Sequence, residues 1–191
     1  MMNNFATGQV QARFALNMRI VMTIIGGAAL MTLAAKVQVP FWPVPITLHT
    51  MAVMAFAVAF GPRMAVSIFL AYLAAGASGL PVFSGSPERG IGLAYLAGPT
   101  GGYLFGYLVA TWMVAVLAKG RGTFGRFCAM IAGMVPVYGL GLAWLALYVP
   151  AGKLLAVGVL PFLLGDLFKI GVVAFGSAVL PASIRRLRGR A

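Results

Sequence analysis

Asp166 and Lys169 are the residues in this chain best placed to do chemistry. They lie three apart in the run V-L-P-F-L-L-G-D-L-F-K-I-G-V-V-A-F-G (159–176), and Asp166 is one of only two carboxylates in 191 residues. A spacing of three puts both side chains on one helix face. If the run spans a membrane, each charge costs about 2.5–3.5 kcal/mol at its centre and needs a partner or a ligand. The pair could be a mutual ion pair that holds helices together, a polar floor for a ligand, or both. The other carboxylate, Glu88, adjoins Arg89, whose planar fork of donors suits a carboxylate ligand; a local surface pair is the plainer alternative. The one histidine, His49, tops an apolar segment as either a ligand contact or a hydrogen-bonded structural residue. These groups fall on different segments, with no metal-ligand spacing and no nucleophile–base motif, so an enzyme is not the expectation.

The residues around them are overwhelmingly apolar. The chain is 62% hydrophobic and 8% charged, with a mean hydropathy of +1.00. A soluble domain carries roughly 25% charged residues, so this is too little polar surface to cover a globule. The chain reads as one integral membrane domain over residues 1–191. Its net charge of +12 does not point to nucleic acid. The basic residues fall between apolar segments, without aromatic interleaving or a recognition motif. A pore would need rings of like charge or a filter motif, and neither is present. The single Cys128 excludes an internal disulfide and reads as a packing or lipid-facing residue.

Six apolar segments are expected: Ile20–Ala35, Ile46–Phe60, Met64–Ser78, Gly101–Ala118, Phe127–Val149 with Pro136, and Leu154–Leu180 with Pro161. A spanning helix needs roughly 20 residues, so the second and third are short, as is common where backbone lines a cavity rather than lipid. With the N-terminus inside, ten cations fall inside (Arg13, Arg19, Arg63, Lys119, Arg121, Arg126, Arg185, Arg186, Arg188, Arg190) and three outside (Lys36, Arg89, Lys153). That bias places both termini in the cytoplasm, with 1–18 and the basic tail 183–191 as cytoplasmic segments. The first segment lacks a small-x-small cleavage site and reads as a span rather than a removed signal.

The outer loops carry unusual chemistry. V-Q-V-P-F-W-P-V-P-I-T-L-H-T (37–50) alternates Pro40, Pro43 and Pro45 with apolar residues, which favours extended backbone. With Phe41 and Trp42 it is expected to be a lid or re-entrant edge over a cavity; for Trp42 an interfacial aromatic is the alternative. G-P-T-G-G-Y (98–103) lacks the Gly-Lys-Ser/Thr of a phosphate loop. Thr100 is expected to cap the next helix, with the glycines allowing close packing; direct contact with a ligand is the alternative. Gly26, Gly27, Ala28, Thr32 and Ala35 form a small-residue stripe, fit for packing within the chain or for docking a partner subunit.

These strings together resemble the BioY family, the biotin-specific substrate-capture (S) subunits of energy-coupling factor transporters. The matching pieces are V-P-F-W-P-V-P-I-T-L-H-T (39–50), Y-L-A-A-G-A-S-G-L-P-V-F (72–83), A-G-P-T-G-G-Y-L-F-G-Y (97–107) and G-D-L-F-K (165–169). The resemblance implies an all-α bundle of six transmembrane helices, with structured outer loops as a lid and a ligand site near the outer face. It implies biotin as transported ligand, with Arg89, Asp166 and Lys169 as key polar residues and Thr47, Phe83 and Tyr95 as wall residues. Trp42 and His49 join the candidate set from their positions. His49 stands where the family often has Gln, and Ala28-x-x-x-Thr32 replaces an Ala-x-x-x-Ala pattern. A transmembrane coupling subunit and ATPase subunits are implied partners, since this chain has no nucleotide-binding motif. A homo-oligomer in a bacterial inner membrane also fits. The donors and acceptors alone suit other small ligands, so an S subunit for thiamine or riboflavin is the alternative.

Overall fold

The six apolar runs fold as helices because a backbone without water must satisfy its own hydrogen bonds. The structure is a computed structural model and describes residues 2–40 and 42–179; Phe41, Leu180 and the basic tail 183–191 lie outside the described residues. The elements are α1 (Met2–Lys36), β1 (Gln38–Val39), β2 (Ile46–Thr47), α2 (His49–Phe60), α3 (Pro62–Ala77), α4 (Gly92–Leu96), α5 (Gly101–Leu117), α6 (Thr123–Leu145), a 3-10 turn (Ala151–Lys153), α7 (Leu154–Gly158) and α8 (Leu160–Val179).

The second segment begins as a helix only at His49, since Ile46–Thr47 is a strand, and the fifth is shifted by four residues to Thr123–Leu145; the first and sixth differ more. The first helix does not start near Ile20. No proline interrupts residues 2–36, so α1 runs for 35 residues, and Leu16–Lys36 is its apolar, membrane-length part. The sixth segment is not continuous. It breaks at Val159 (φ −131°, ψ −57°) into α7 and α8. Pro161 then falls in the first turn of α8, where its missing N–H costs no helical bond. Pro136, in contrast, sits within α6.

The helices α2 and α3 are short, with 12 and 16 residues. At 1.5 Å per residue they reach about 18 and 24 Å, less than the roughly 30 Å hydrocarbon core. Gly61, at φ +77°, makes the one-residue link between them, and Pro62 opens α3. The outer side is completed by loop structure. The strands β1 and β2 pair antiparallel, with Gln38 opposite Thr47 and Val39 opposite Ile46.

Buried side chains form two clusters. One joins α2, α5, α6 and α8 through residues such as Met54, Val114, Met130 and Ile170. The other joins α1, α2, α3 and the outer loop through Met31, Val53, Phe69 and Phe83. The glycines of the G-P-T-G-G-Y string and Gly106 bring α5 onto α6. A Cβ at Gly102 would collide with Trp144, and one at Gly106 would lie 2.6 Å from Val137 Cα and 2.7 Å from Pro136 O. The outward faces are apolar. On α8, Leu164, Phe168 and Phe175 are 81, 73 and 71% exposed, whereas Asp166, Lys169, Val173 and Ser177 turn inward. A helix with grease outside and charge inside belongs in lipid.

Candidate functional site

At the meeting of the two clusters lies a cavity closed on its outer side by the first and third-to-fourth loops. Counted out to its open mouth it encloses about 560 Å³, within the range of small-molecule sites. The free space enclosed within the walls is only about 50 Å³, room for a few waters. The walls therefore stand close together.

Asp166 and Lys169 form the floor. Both are buried, and Lys169 Nζ donates to Asp166 Oδ1 at 3.0 Å. The ion pair is thus within α8. The bond between helices comes from Tyr138 on α6, whose hydroxyl donates to Asp166 Oδ2 at 2.8 Å. An ionised carboxylate has about four acceptor positions and an ammonium three donors. The pair is anchored with capacity left for a ligand.

Aromatic residues build the sides. The His49 ring stacks on Tyr107 (centroids 5.1 Å, 19°) and meets Tyr72 edge-on at 5.1 Å. The Tyr107 hydroxyl shares a 2.6 Å hydrogen bond with Thr50. Tyr103 donates to Gly158 O at 2.8 Å, so α5 holds the end of α7. Among the described residues His49 Nε2 is buried without a hydrogen-bond partner. A polar atom in that state at a cavity wall is a candidate ligand contact.

The outer loops close the top. The Tyr95 hydroxyl donates to Ser84 O at 2.7 Å, and burial raises its pKa above the ordinary tyrosine value. Ser84 Oγ donates to Gln38 Oε1. Lys36 Nζ donates to Ser86 O at 2.6 Å and to Ser86 Oγ at 3.1 Å, tying the end of α1 to the same loop. Thr47 Oγ1 accepts from His49 N at 3.2 Å and helps to start α2.

The structure brings Thr47, His49, Tyr95, Asp166 and Lys169 together around one cavity. Three other expected residues are not on its wall. Phe83 lies fully buried behind it, stacked on Tyr95 at 4.7 Å and edge-on to Tyr72 at 5.4 Å, so it supports wall rings. Trp42 is 74% exposed. Arg89 spans the outside of the lid, with Nη1 donating to Pro43 O at 3.0 Å and its guanidinium 5.7 Å from the Trp42 ring centre. Thr100 stands at the N-cap of α5, yet its hydroxyl makes no capping bond; it faces the cavity instead. Reasoning from sequence missed Tyr72, Tyr103, Tyr107 and Tyr138. A signal existed: five of the chain's six tyrosines line this cavity. A phenol in an apolar span needs a partner, so it marks a polar interior. Among the described residues no group of three or more His, Cys, Asp or Glu is placed to hold a metal.

This arrangement can enclose a small ring system between aromatic walls and meet its polar groups at the charged floor. Known proteins resemble the chain in sequence and in fold. The biotin transporter BioY of Thermotoga maritima is 36% identical over 148 residues, 76% of this chain and 86% of that one. The biotin transporter BioY of Rhizobium etli is 34% identical over 175 residues, 84% of this chain and 92% of that one. The fold matches the crystal structure of the S-component for biotin from an ECF-type ABC transporter, with a TM-score of 0.73 at 24% identity over 93% of this chain and 94% of that one. The BioY family model matches residues 6–186, and the chain, a multi-pass membrane protein, belongs to the BioY family.

Proposed function

We propose that this protein captures biotin at the outer face of the bacterial inner membrane and carries it inward as the S subunit of an energy-coupling factor transporter. The observation that carries the reading is the buried Asp166–Lys169 pair, anchored by Tyr138 at the floor of a cavity in a BioY-family chain. Biotin offers ureido N–H donors and a C=O acceptor on a compact apolar bicycle, with a carboxylate on a flexible tail. In this reading Asp166 accepts from a ureido N–H and Lys169 donates to the ureido oxygen. Tyr72, Tyr95 and Tyr107 enclose the rings. Arg89 and Trp42 sit at the rim, where Arg89 meets the tail carboxylate as it leaves the cavity; Phe83 acts through Tyr95.

The protein is a transport subunit and not an enzyme. A transmembrane coupling subunit and ATPase subunits supply the energy. Both termini lie in the cytoplasm, in keeping with the ten-to-three bias of basic residues. The decisive experiment is equilibrium binding of labelled biotin to the purified chain in detergent, with thiamine and riboflavin as competitors. Saturable binding displaced only by biotin supports the reading, and binding of another vitamin in its place refutes it. Biotin accumulation by the reconstituted chain alone, driven by an ion gradient, would refute the ATP-powered part.

A further inference from the structure

A second hollow lies at the opposite, basic end of the bundle, between the last turns of α2 and α8. It offers about 410 Å³, and its walls include Phe56, Val58 and Phe60 of α2 with Val173, Gly176 and Ser177 of α8. Gly176 leaves it open: a Cβ there would meet no atom within 4 Å. The polar atom of this wall is already engaged, since Ser177 Oγ donates to Ala174 O at 2.8 Å.

The rim is cationic. Arg126, in the first turn of α6, donates from Nη1 to Ser177 O at 3.1 Å and to Ser177 Oγ at 3.0 Å. Its Nε is buried, and among the described residues it has no hydrogen-bond partner. Such a group is costly unless an acceptor joins it, and a guanidinium fork matches phosphate oxygens. Arg63 follows Phe60 by three residues, so a second cation borders the same end. A trough lined with hydrocarbon and edged by cations complements a molecule with an acyl chain and an anionic head.

We propose that this hollow binds an anionic phospholipid. One acyl chain lies between α2 and α8, and a phosphate oxygen accepts from the guanidinium of Arg126. The basic end of the bundle is the cytoplasmic end in the orientation proposed above, and the anionic lipids of that leaflet are drawn to basic residues near the surface. The site uses none of the residues around the biotin cavity, so the two readings stand or fall separately.

The test is native mass spectrometry of the purified chain after incubation with phosphatidylglycerol or phosphatidylcholine of the same acyl composition. The wild type should retain phosphatidylglycerol with about tenfold preference, the equivalent of one well-made charged contact. Gly176→Leu projects its side chain from an open Cβ position into the trough and should lose retention of both lipids. Arg126→Gln should lose the preference alone, whereas Ser177→Ala, which keeps the charge, should retain it. A melting temperature in detergent within a few degrees of wild type reports that each variant is folded. Equal retention of the two lipids by wild type, or full phosphatidylglycerol retention by Gly176→Leu, overturns the proposal. So does Gly176→Leu leaving lipid retention intact while abolishing co-purification with the coupling subunit, which would assign the trough to a protein.

Discussion

Asp166→Asn tests whether the buried pair is a binding site or merely a brace. In the wild type Asp166 takes one bond from Lys169 at 3.0 Å and one from Tyr138 at 2.8 Å. Lys169 is only 8% exposed, so neutralising its partner strands an ammonium in a low-dielectric wall. Breaking a buried pair from one side costs about 3–5 kcal/mol, and Asn returns part of this because its oxygen still accepts. The effect on the ligand is separate. Losing a hydrogen bond from a charged acceptor costs about 1.5–3 kcal/mol, or roughly 10- to 150-fold in Kd. The double variant Asp166→Asn/Lys169→Met distinguishes these contributions. It removes the stranded charge, so thermal stability in detergent should recover most of what the single variant lost. Biotin affinity should stay at least tenfold below wild type, because neither charged ligand partner returns. Equilibrium binding and melting of the same preparations give both numbers. A double variant that binds within twofold of wild type would refute the argument and reduce the pair to a structural device.

The remaining predictions concern the walls and lid. His49→Phe keeps a ring against Tyr107 but removes the unpartnered Nε2, and should weaken biotin binding about 2- to 12-fold, with His49→Gln recovering part. Titration calorimetry reads this directly, and unchanged affinity for His49→Phe would make the residue structural. Gly76→Ala drives a Cβ into the Phe83 ring, which is stacked on Tyr95; a loss of about 1–3 kcal/mol of stability is expected by melting, together with weaker binding. Tyr95 has a raised pKa, so the folded chain favours the protonated phenol that donates to Ser84 O. Its contribution to stability should be fully present below about pH 10 and fall as pH rises beyond it, because the unfolded chain ionises first. Tyr95→Phe should flatten that slope, and an identical alkaline decline in both proteins would exclude this tyrosine as its source.

The parts that could be read from the sequence share a physical cause. Span positions followed from apolar runs, and Asp166 and Lys169 stood out because charge in lipid is costly. The extended outer loop followed from Pro40, Pro43 and Pro45. What escaped depended on which side chains meet in space. Tyr138 is 28 residues from Asp166, and no spacing rule joins a phenol on α6 to a carboxylate on α8. Phe83 and Tyr95 are both aromatic residues of one outer region, yet one lines the cavity and the other backs it, and only packing distinguishes them. Arg89 was expected at a ligand carboxylate, and its bond to Pro43 O shows a donor equally able to hold the lid. The break at Val159 was not legible: the sixth segment reads as continuous through Pro161, whereas the helix restarts at Leu160, because a proline is compatible with a first turn.

The contacts also divide the cavity into a part that resists change and a part that can yield. The inner walls belong to α5, α6 and α8, where Gly102 and Gly106 bring backbone against backbone and Tyr103 holds Gly158. Parting those helices would expose their packed faces and break buried bonds together. The outer side is held mainly by separate polar ties: Lys36 to Ser86, Arg89 to Pro43, Trp144 to Gly98 and Tyr148 to Ala97, with the Tyr95–Ser84 bond the buried one among them. The part-buried and exposed ties can exchange a lost partner for water at little net cost. With about 50 Å³ free within the walls, a bicyclic ligand requires displacement on some side. The cost is lowest at the lid, whose two halves, Val44–Thr47 and Ser84–Arg89, are joined to the bundle by bonds that can be exchanged one at a time. The same accounting suits the proposed reading: the charged pair of α8 sits on the more firmly packed wall, and the loops are the part that costs least to displace.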